Sequence, residues 1–174
     1  MKSFSSGSNL LEELYNLDKY DTKPSDYFHR KKRHVIVLTD TGKPVYSRYG
    51  EESDLGPIVA TFNVILHKLK NLNGQDSQDI VQKLENPFTK TLIVKHGELY
   101  AIVITKNKSD PDILIRKTID SLLHQILCCL TDNYKRKLEQ SSNYNPGNNL
   151  EAHYQTLAWV LASSRHSFNS IFTA

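Results

Sequence analysis

His34-Val35-Ile36-Val37-Leu38-Thr39, Asp40-Thr41-Gly42 and Lys43-Pro44-Val45-Tyr46-Ser47-Arg48-Tyr49 read as a strand, a tight turn and a second strand. β-Branched and aromatic residues fill both arms and Asp/Gly fill the break, which is the pattern of a hairpin. Downstream, Leu55, Ile58, Val59, Phe62, Ile65, Leu66 and Leu69 step by three and four residues, so they predict the buried stripe of a helix, with Pro57 in its first turn. Ile80–Leu84, Thr91–Val94 and Leu99–Thr105 predict three more strands, the last two joined by a turn at Gly97. Pro111 and Asp112 then open a second helix with the stripe Ile115, Ile119, Leu122, Leu123, Ile126, Leu127 and Leu130. Asn143–Asn149 reads as a loop, and Leu150–Leu161 as a last helix.

The order is therefore β-β-α-β-β-β-α-α, an α/β (α+β) chain. Connections between neighbouring strands are too short for parallel crossovers, so the five-stranded sheet should be mainly antiparallel. The first, fourth and fifth strands are almost continuously apolar, which calls for cover on both faces. The sheet should thus be sandwiched between the helix at Leu55–Leu69 and the one at Pro111–Leu130. Upstream, Leu10, Leu11, Leu14 and Leu17 recur at helical spacing, so residues 1–28 read as an extension with a short amphipathic helix and residues 29–174 as the domain.

Composition narrows the function. The chain has 174 residues, 39% hydrophobic and 24% charged, enough for one core. Its 22 Lys plus Arg and 19 Asp plus Glu leave +3, too little to imply a nucleic-acid partner. No apolar run approaches the ~20 residues of a membrane span, and there is no signal-peptide core, so a cytoplasmic protein is expected. The adjacent Cys128 and Cys129 read as reduced thiols beside an apolar stripe.

The chemical motifs are sparse. Asp40-Thr41-Gly42 has the letters of an aspartic-protease site, but that chemistry needs a second carboxylate to share the proton, and the chain has no second copy. Gly42-Lys43 lacks the upstream glycine and the following Ser or Thr of a phosphate loop. The seven histidines show no metal-ligand spacing, and Ser163, Ser164 and His166 have no triad context. No catalytic residue, metal or cofactor is expected.

Two features point to docking. The run Arg30, Lys31, Lys32 and Arg33, flanked by His29 and His34, suits an acidic membrane or acidic partner; its plainer reading is a solvated approach to the first strand. On the first long helix, Gly56, Ala60, Asn63, Val64 and His67 turn away from the core stripe and are small or mildly polar where a solvated face would carry Lys and Glu. Small residues at four-residue spacing let another helix approach closely, so this face is the expected partner interface. The alternative cover is the Leu10–Leu17 helix of the same chain.

The stretch from His29 to Leu38, followed by Gly42-Lys43-Pro44-Val45-Tyr46-Ser47-Arg48-Tyr49-Gly50-Glu51-Glu52, closely resembles the opening of the first longin domain in the SAND, or monensin-sensitivity, vacuole-fusion family. Weaker similarity runs through Gly97, Leu99, Val103, Gln125-Ile126-Leu127, Leu130-Thr131 and Asn143-Tyr144. Members carry three longin domains, whereas this chain corresponds to the first, as a shortened product or a reduced relative. It also departs at Asn145-Pro146-Gly147-Asn148-Asn149, where the family continues with a hydrophobic and basic stretch. The resemblance implies a subunit of a guanine-nucleotide exchange factor: a heterodimer with a second longin-domain protein that binds a late-endosomal Rab GTPase, peripherally recruited to the late endosome or vacuole. Lys43, Ser47 and Arg48 on the hairpin are then the expected GTPase contacts. The alternative is a non-exchanging longin adaptor in a tethering, coat or planar-polarity complex.

Overall fold

The computed structural model describes residues 31–49, 52–73, 81–130, 134, 136–137 and 144–172. The expected helix at Leu10–Leu17, and Arg30 of the basic run, lie outside them.

The hairpin forms as its sequence predicts, with β1 at Arg33–Thr39 and β2 at Pro44–Ser47. The turn is built by hydrogen bonds: Thr39 N–H donates to Lys43 O at 2.8 Å, Gly42 N–H to Thr39 O at 2.9 Å, and Lys43 N–H to Thr39 Oγ1 at 2.9 Å. Gly42 has φ +86°, a region that costs a residue with a Cβ about 1 kcal/mol. Asp40-Thr41-Gly42 is thus a structural turn.

Helix α1 spans Glu52–Asn73, then come β3 at Val81–Glu85, β4 at Lys90–His96 and β5 at Leu99–Thr105. Helix α2 follows at Asp112–Leu130, then a 3-10 helix at Pro146–His153 and α3 at Tyr154–Phe172. The sheet order is β2-β1-β5-β4-β3, antiparallel at every pairing. The three seven-residue strands fill its middle, β5 between β1 and β4, and α1 carries the chain from one edge strand, β2, to the other, β3.

Alternation on the strands separates two cores. Ile36, Leu38, Ile93, Tyr100 and Ile102 face α1 and meet Leu55, Val59, Phe62 and Leu66. Val35, Val37, Leu92, Val94, Ala101 and Val103 face the other way and meet Ile115, Ile119, Leu122, Leu123 and Ile126 of α2, with Leu150, Leu157 and Leu161 behind them. Helices cover both faces, as the unbroken apolar strands require. At about 25 cal/mol per Å² of apolar surface removed from water, these two layers supply the main drive for folding.

Three boundaries differ from those read in the sequence. Helix α1 begins at Glu52, which puts Pro57 in the second turn. The proline has no N–H to give the residue-53 carbonyl, so one bond of the helix is lost near its start, while Thr61 Oγ1 donates to Pro57 O at 2.9 Å. Pro111 precedes α2 and caps it, its carbonyl accepting from Leu114 N at 3.0 Å and Ile115 N at 3.2 Å. Much of the segment read as a loop at Asn143–Asn149 is ordered: Asn145 caps the 3-10 helix, its side chain accepting from Gly147 N at 2.9 Å, and Pro146 follows.

Gly42 also ties the turn to α1. A Cβ added there would lie 2.3 Å from Asn63 Oδ1, and Asn63 Nδ2 donates to Gly42 O at 3.4 Å. Gly42→Ala is therefore expected to cost about 2 kcal/mol, from left-handed strain plus a displaced Asn63. Adding Asn63→Ala should restore part of that loss. Urea unfolding of both variants and of Asn63→Ala alone checks this: strictly additive costs would mean that the two residues do not meet.

Candidate interaction surfaces

Because α1 buries one stripe, its 3.6-residue period decides what the opposite side presents. Gly56, Ala60, Val64 and His67 are all exposed there, with Val64 at 59%. A Cβ added at Gly56 would meet nothing within 4 Å, so this row lies open. Of the exposed α1 residues with described side chains, only Lys68 is charged. The face is therefore narrow, smooth and easily stripped of water.

Asn63 behaves differently from the residues expected beside it. It sits on the flank of α1, half-buried, with its amide on Gly42 O. Its Oδ1 is buried without a hydrogen-bond partner. Its structural task is to hold the β1–β2 turn against α1.

The hairpin residues are spread along β2. The four-residue separation of Lys43 and Ser47 corresponds to about 13 Å of extended chain, so the structure does not gather them at one point. Lys43 Nζ donates to Tyr144 O at 3.3 Å, and Ser47 Oγ to Tyr49 O at 2.6 Å. The Arg48 guanidinium carbon lies 5.2 Å from the Tyr49 ring centroid, and Lys31 Nζ lies 5.1 Å from the same ring.

Arg33 of the basic run also has a partner within the fold. It opens β1, its side chain is 16% exposed, and its guanidinium pairs with the Asp110 carboxylate. Next to this pair is a buried lysine to which the sequence reading assigned no role. Lys90, 3% exposed, donates from Nζ to Asp112 Oδ1 at 2.8 Å, to Lys108 O at 3.2 Å and to Asp110 O. Lys83 reaches Asp112 Oδ2 at 3.1 Å and Glu85 Oε2 at 3.2 Å. Hydrogen bonds from Lys90 and then Lys83 hold the Asp112 carboxyl below its usual range, and Lys83 is raised by Asp112 and then Glu85. This network pins the start of α2 to β3, β4 and the start of β1.

Tyr100, buried between sheet and α1, has its hydroxyl pushed up by burial, with Asp40 and Glu98 adding to the effect. Among the described residues no cluster of His, Cys, Asp or Glu could hold a metal ion, and no helix is long and apolar enough to cross a membrane. Cys128 is exposed and Cys129 half-buried, both as free thiols.

Residues 33–159 match the family model described as the first longin domain of FUZ, MON1 and HPS1. This chain belongs to that longin family. The longin domain is 27% identical to the vacuolar fusion protein MON1 homolog of Arabidopsis thaliana over 130 residues, 75% of this chain and 20% of that protein. It is 26% identical to the human MON1 homolog A over 129 residues and 25% identical to the Bos taurus protein over 126, covering 19% and 22% of those relatives. This longin domain thus spans about a fifth of the length of the relatives it matches.

Several exposed apolar residues were missed by periodicity. They are Phe88 at 81%, Trp159 at 63%, Ile113 at 58% and Leu84 at 41%. A signal existed for Phe88, because Asn86-Pro87-Phe88-Thr89 places a large apolar residue where turns carry polar ones.

Proposed function

We propose that this longin domain is a docking module of a membrane-trafficking complex, pairing through the outer face of α1 with a second longin-domain protein. The observation that carries this reading is the open, almost uncharged row of Gly56, Ala60, Val64 and His67 on helix α1 of a family member. Covering such a row costs little desolvation, and its small residues allow a partner helix to approach closely.

The pair is then a subunit assembly of a guanine-nucleotide exchange factor for a late-endosomal Rab GTPase. Lys43, Ser47 and Arg48 lie on the hairpin edge as the weaker GTPase contacts. Exchange of this kind requires differential binding of the GTPase's switch region and no acid, base or nucleophile from this chain. The relatives' description as vacuolar fusion proteins supports work at the vacuole or late endosome, with the domain recruited peripherally from the cytoplasm.

Val64→Arg is the test. Its side chain already faces water, so the thermal melt should stay within the range of ordinary surface changes, about 0.5 kcal/mol. Affinity for the partner longin protein should fall about thirtyfold, the cost of forcing a charge into a closed interface. Nucleotide release from the purified GTPase should fall with it. An unchanged affinity for the partner would remove α1 from the interface. Binding with no nucleotide release by the wild-type pair would make the module a non-exchanging adaptor.

A further inference from the structure

Strand register gathers one end of the sheet into a surface that the basic run alone does not define. Arg33 pairs with Thr105, Thr105 with Lys90, and Lys90 with Glu85, so β1, β5, β4 and β3 all start or finish in one row. Residues 31–32, the β3–β4 turn at 86–89 and the β5–α2 connection at 106–111 therefore emerge at the same end. Lys106 N–H donates to Lys32 O at 2.9 Å, which holds two of these segments side by side.

Among the described residues, this end is rich in basic side chains. Lys31, Lys32, Arg33, Lys83, Lys90, Lys106 and Lys108 stand against the carboxylates Glu85, Asp110 and Asp112. Each carboxylate is already matched: Asp110 by Arg33, Asp112 by Lys90 and Lys83, and Glu85 by Lys83, with Lys108 at 4.0 Å. Basic side chains outnumber these carboxylates among the described residues, and Lys32, Lys106 and Lys108 are exposed.

Phe88 projects from the middle of this charge, 81% exposed. Asn86 Oδ1 accepts from Phe88 N at 2.8 Å and Thr89 N at 2.7 Å, and Asn86 N–H donates to Thr89 O at 3.0 Å, so the turn that presents the ring is fixed. Ile113, 58% exposed, lies in the first turn of α2 above the same end.

We propose that this end, with Phe88 as the inserting residue and Lys32, Lys106 and Lys108 as the headgroup contacts, docks on an anionic lipid bilayer. An aromatic ring at a turn tip ringed by lysines enters the acyl boundary while the ammonium groups stay at headgroup level. A single projecting ring offers a protein partner too little area for a specific interface, which favours lipid over an acidic protein. The inference rests on the reading that the domain works at membranes, but it uses the end of the sheet rather than the outer face of α1.

Flotation of the whole 174-residue chain with phosphatidylcholine vesicles, with and without about a third phosphatidylserine, tests it. Wild type should bind only the anionic vesicles and lose them as salt rises. Lys32→Gln, Lys106→Gln and Lys108→Gln together should weaken binding about a hundredfold, about fivefold per lysine. Phe88→Ser should weaken it about tenfold with an unchanged melt. Should the glutamine variant fold poorly, the triple Lys→Arg variant, which must retain binding, and Phe88→Ser decide the matter. Equal affinity for neutral vesicles, wild-type binding by Phe88→Ser, or capture of polyglutamate with no vesicle binding would each overturn the proposal. Val64→Arg should bind vesicles normally, so a failure here and a failure of the α1 interface are told apart.

Discussion

Lys90→Met is expected to destabilise the domain by about 3 kcal/mol, chiefly from leaving carbonyl acceptors without their donor, because the Asp112 carboxylate is 44% exposed and can rehydrate. Methionine retains the stem but supplies no donor. Two main-chain carbonyls, Lys108 O and Asp110 O, and the Asp112 carboxylate all lose the ammonium they share. Lys83 still reaches Asp112, but its side chain is 42% exposed and screened by water, so Lys83→Met should leave stability almost unchanged. Thermal melts should drop by about 10 °C for the first variant and hardly move for the second. Equal melts would show that burial does not set the worth of these lysines. Acid titration adds a second readout. A depressed carboxyl such as Asp112 contributes stability that is present above its unfolded value, near pH 4, and lost as pH falls through the lower folded value. Lys90 is the first cause of that depression, so Lys90→Met should lose less of its remaining stability in that window than wild type does.

Leu150→Ala should cost about 3 kcal/mol and about 9 °C of melting temperature. Leu150 has no exposed surface and packs in the core under α2 from the 3-10 helix. Truncating it leaves a cavity that rigid neighbours on β2 and α2 fill poorly. Glu151→Ala, one residue along and exposed, should cost almost nothing. A small loss at Leu150 would mean that the Pro146–His153 segment rides on the domain rather than completing it.

The strands and both long helices were legible because their apolar residues repeat with the period of the element that buries them. The outer row of α1 was legible for the same reason: Gly56, Ala60, Val64 and His67 follow from the position of Phe62 on a 3.6-residue helix. Asn63 was not, because its task depends on Gly42 O, brought near only by the packed hairpin. The ion pairs of Arg33 and Lys90 are not legible either, since their partners Asp110 and Asp112 lie 77 and 22 residues away in sequence. The first half of the 3-10 helix, Pro146–Asn149, reads as a loop because Pro146, Gly147 and two asparagines carry turn propensity, which capping by Asn145 and burial of Leu150 override.

The placement of β5 between β1 and β4 bears on how the chain assembles as it is made. β3, β4 and β5 pair with sequence neighbours and close short loops. β1 can pair with β2 at once, but its other edge must wait, because its partner β5 lies about 60 residues downstream along the chain, across all of α1. Until β5 leaves the ribosome, Val35-Ile36-Val37-Leu38 exposes an unpaired apolar edge, the kind of segment that pairs with copies of itself. The closing of β1 onto β5 is the long-range step that sets folding speed. The interval before it is when a nascent chain most needs protection from aggregation.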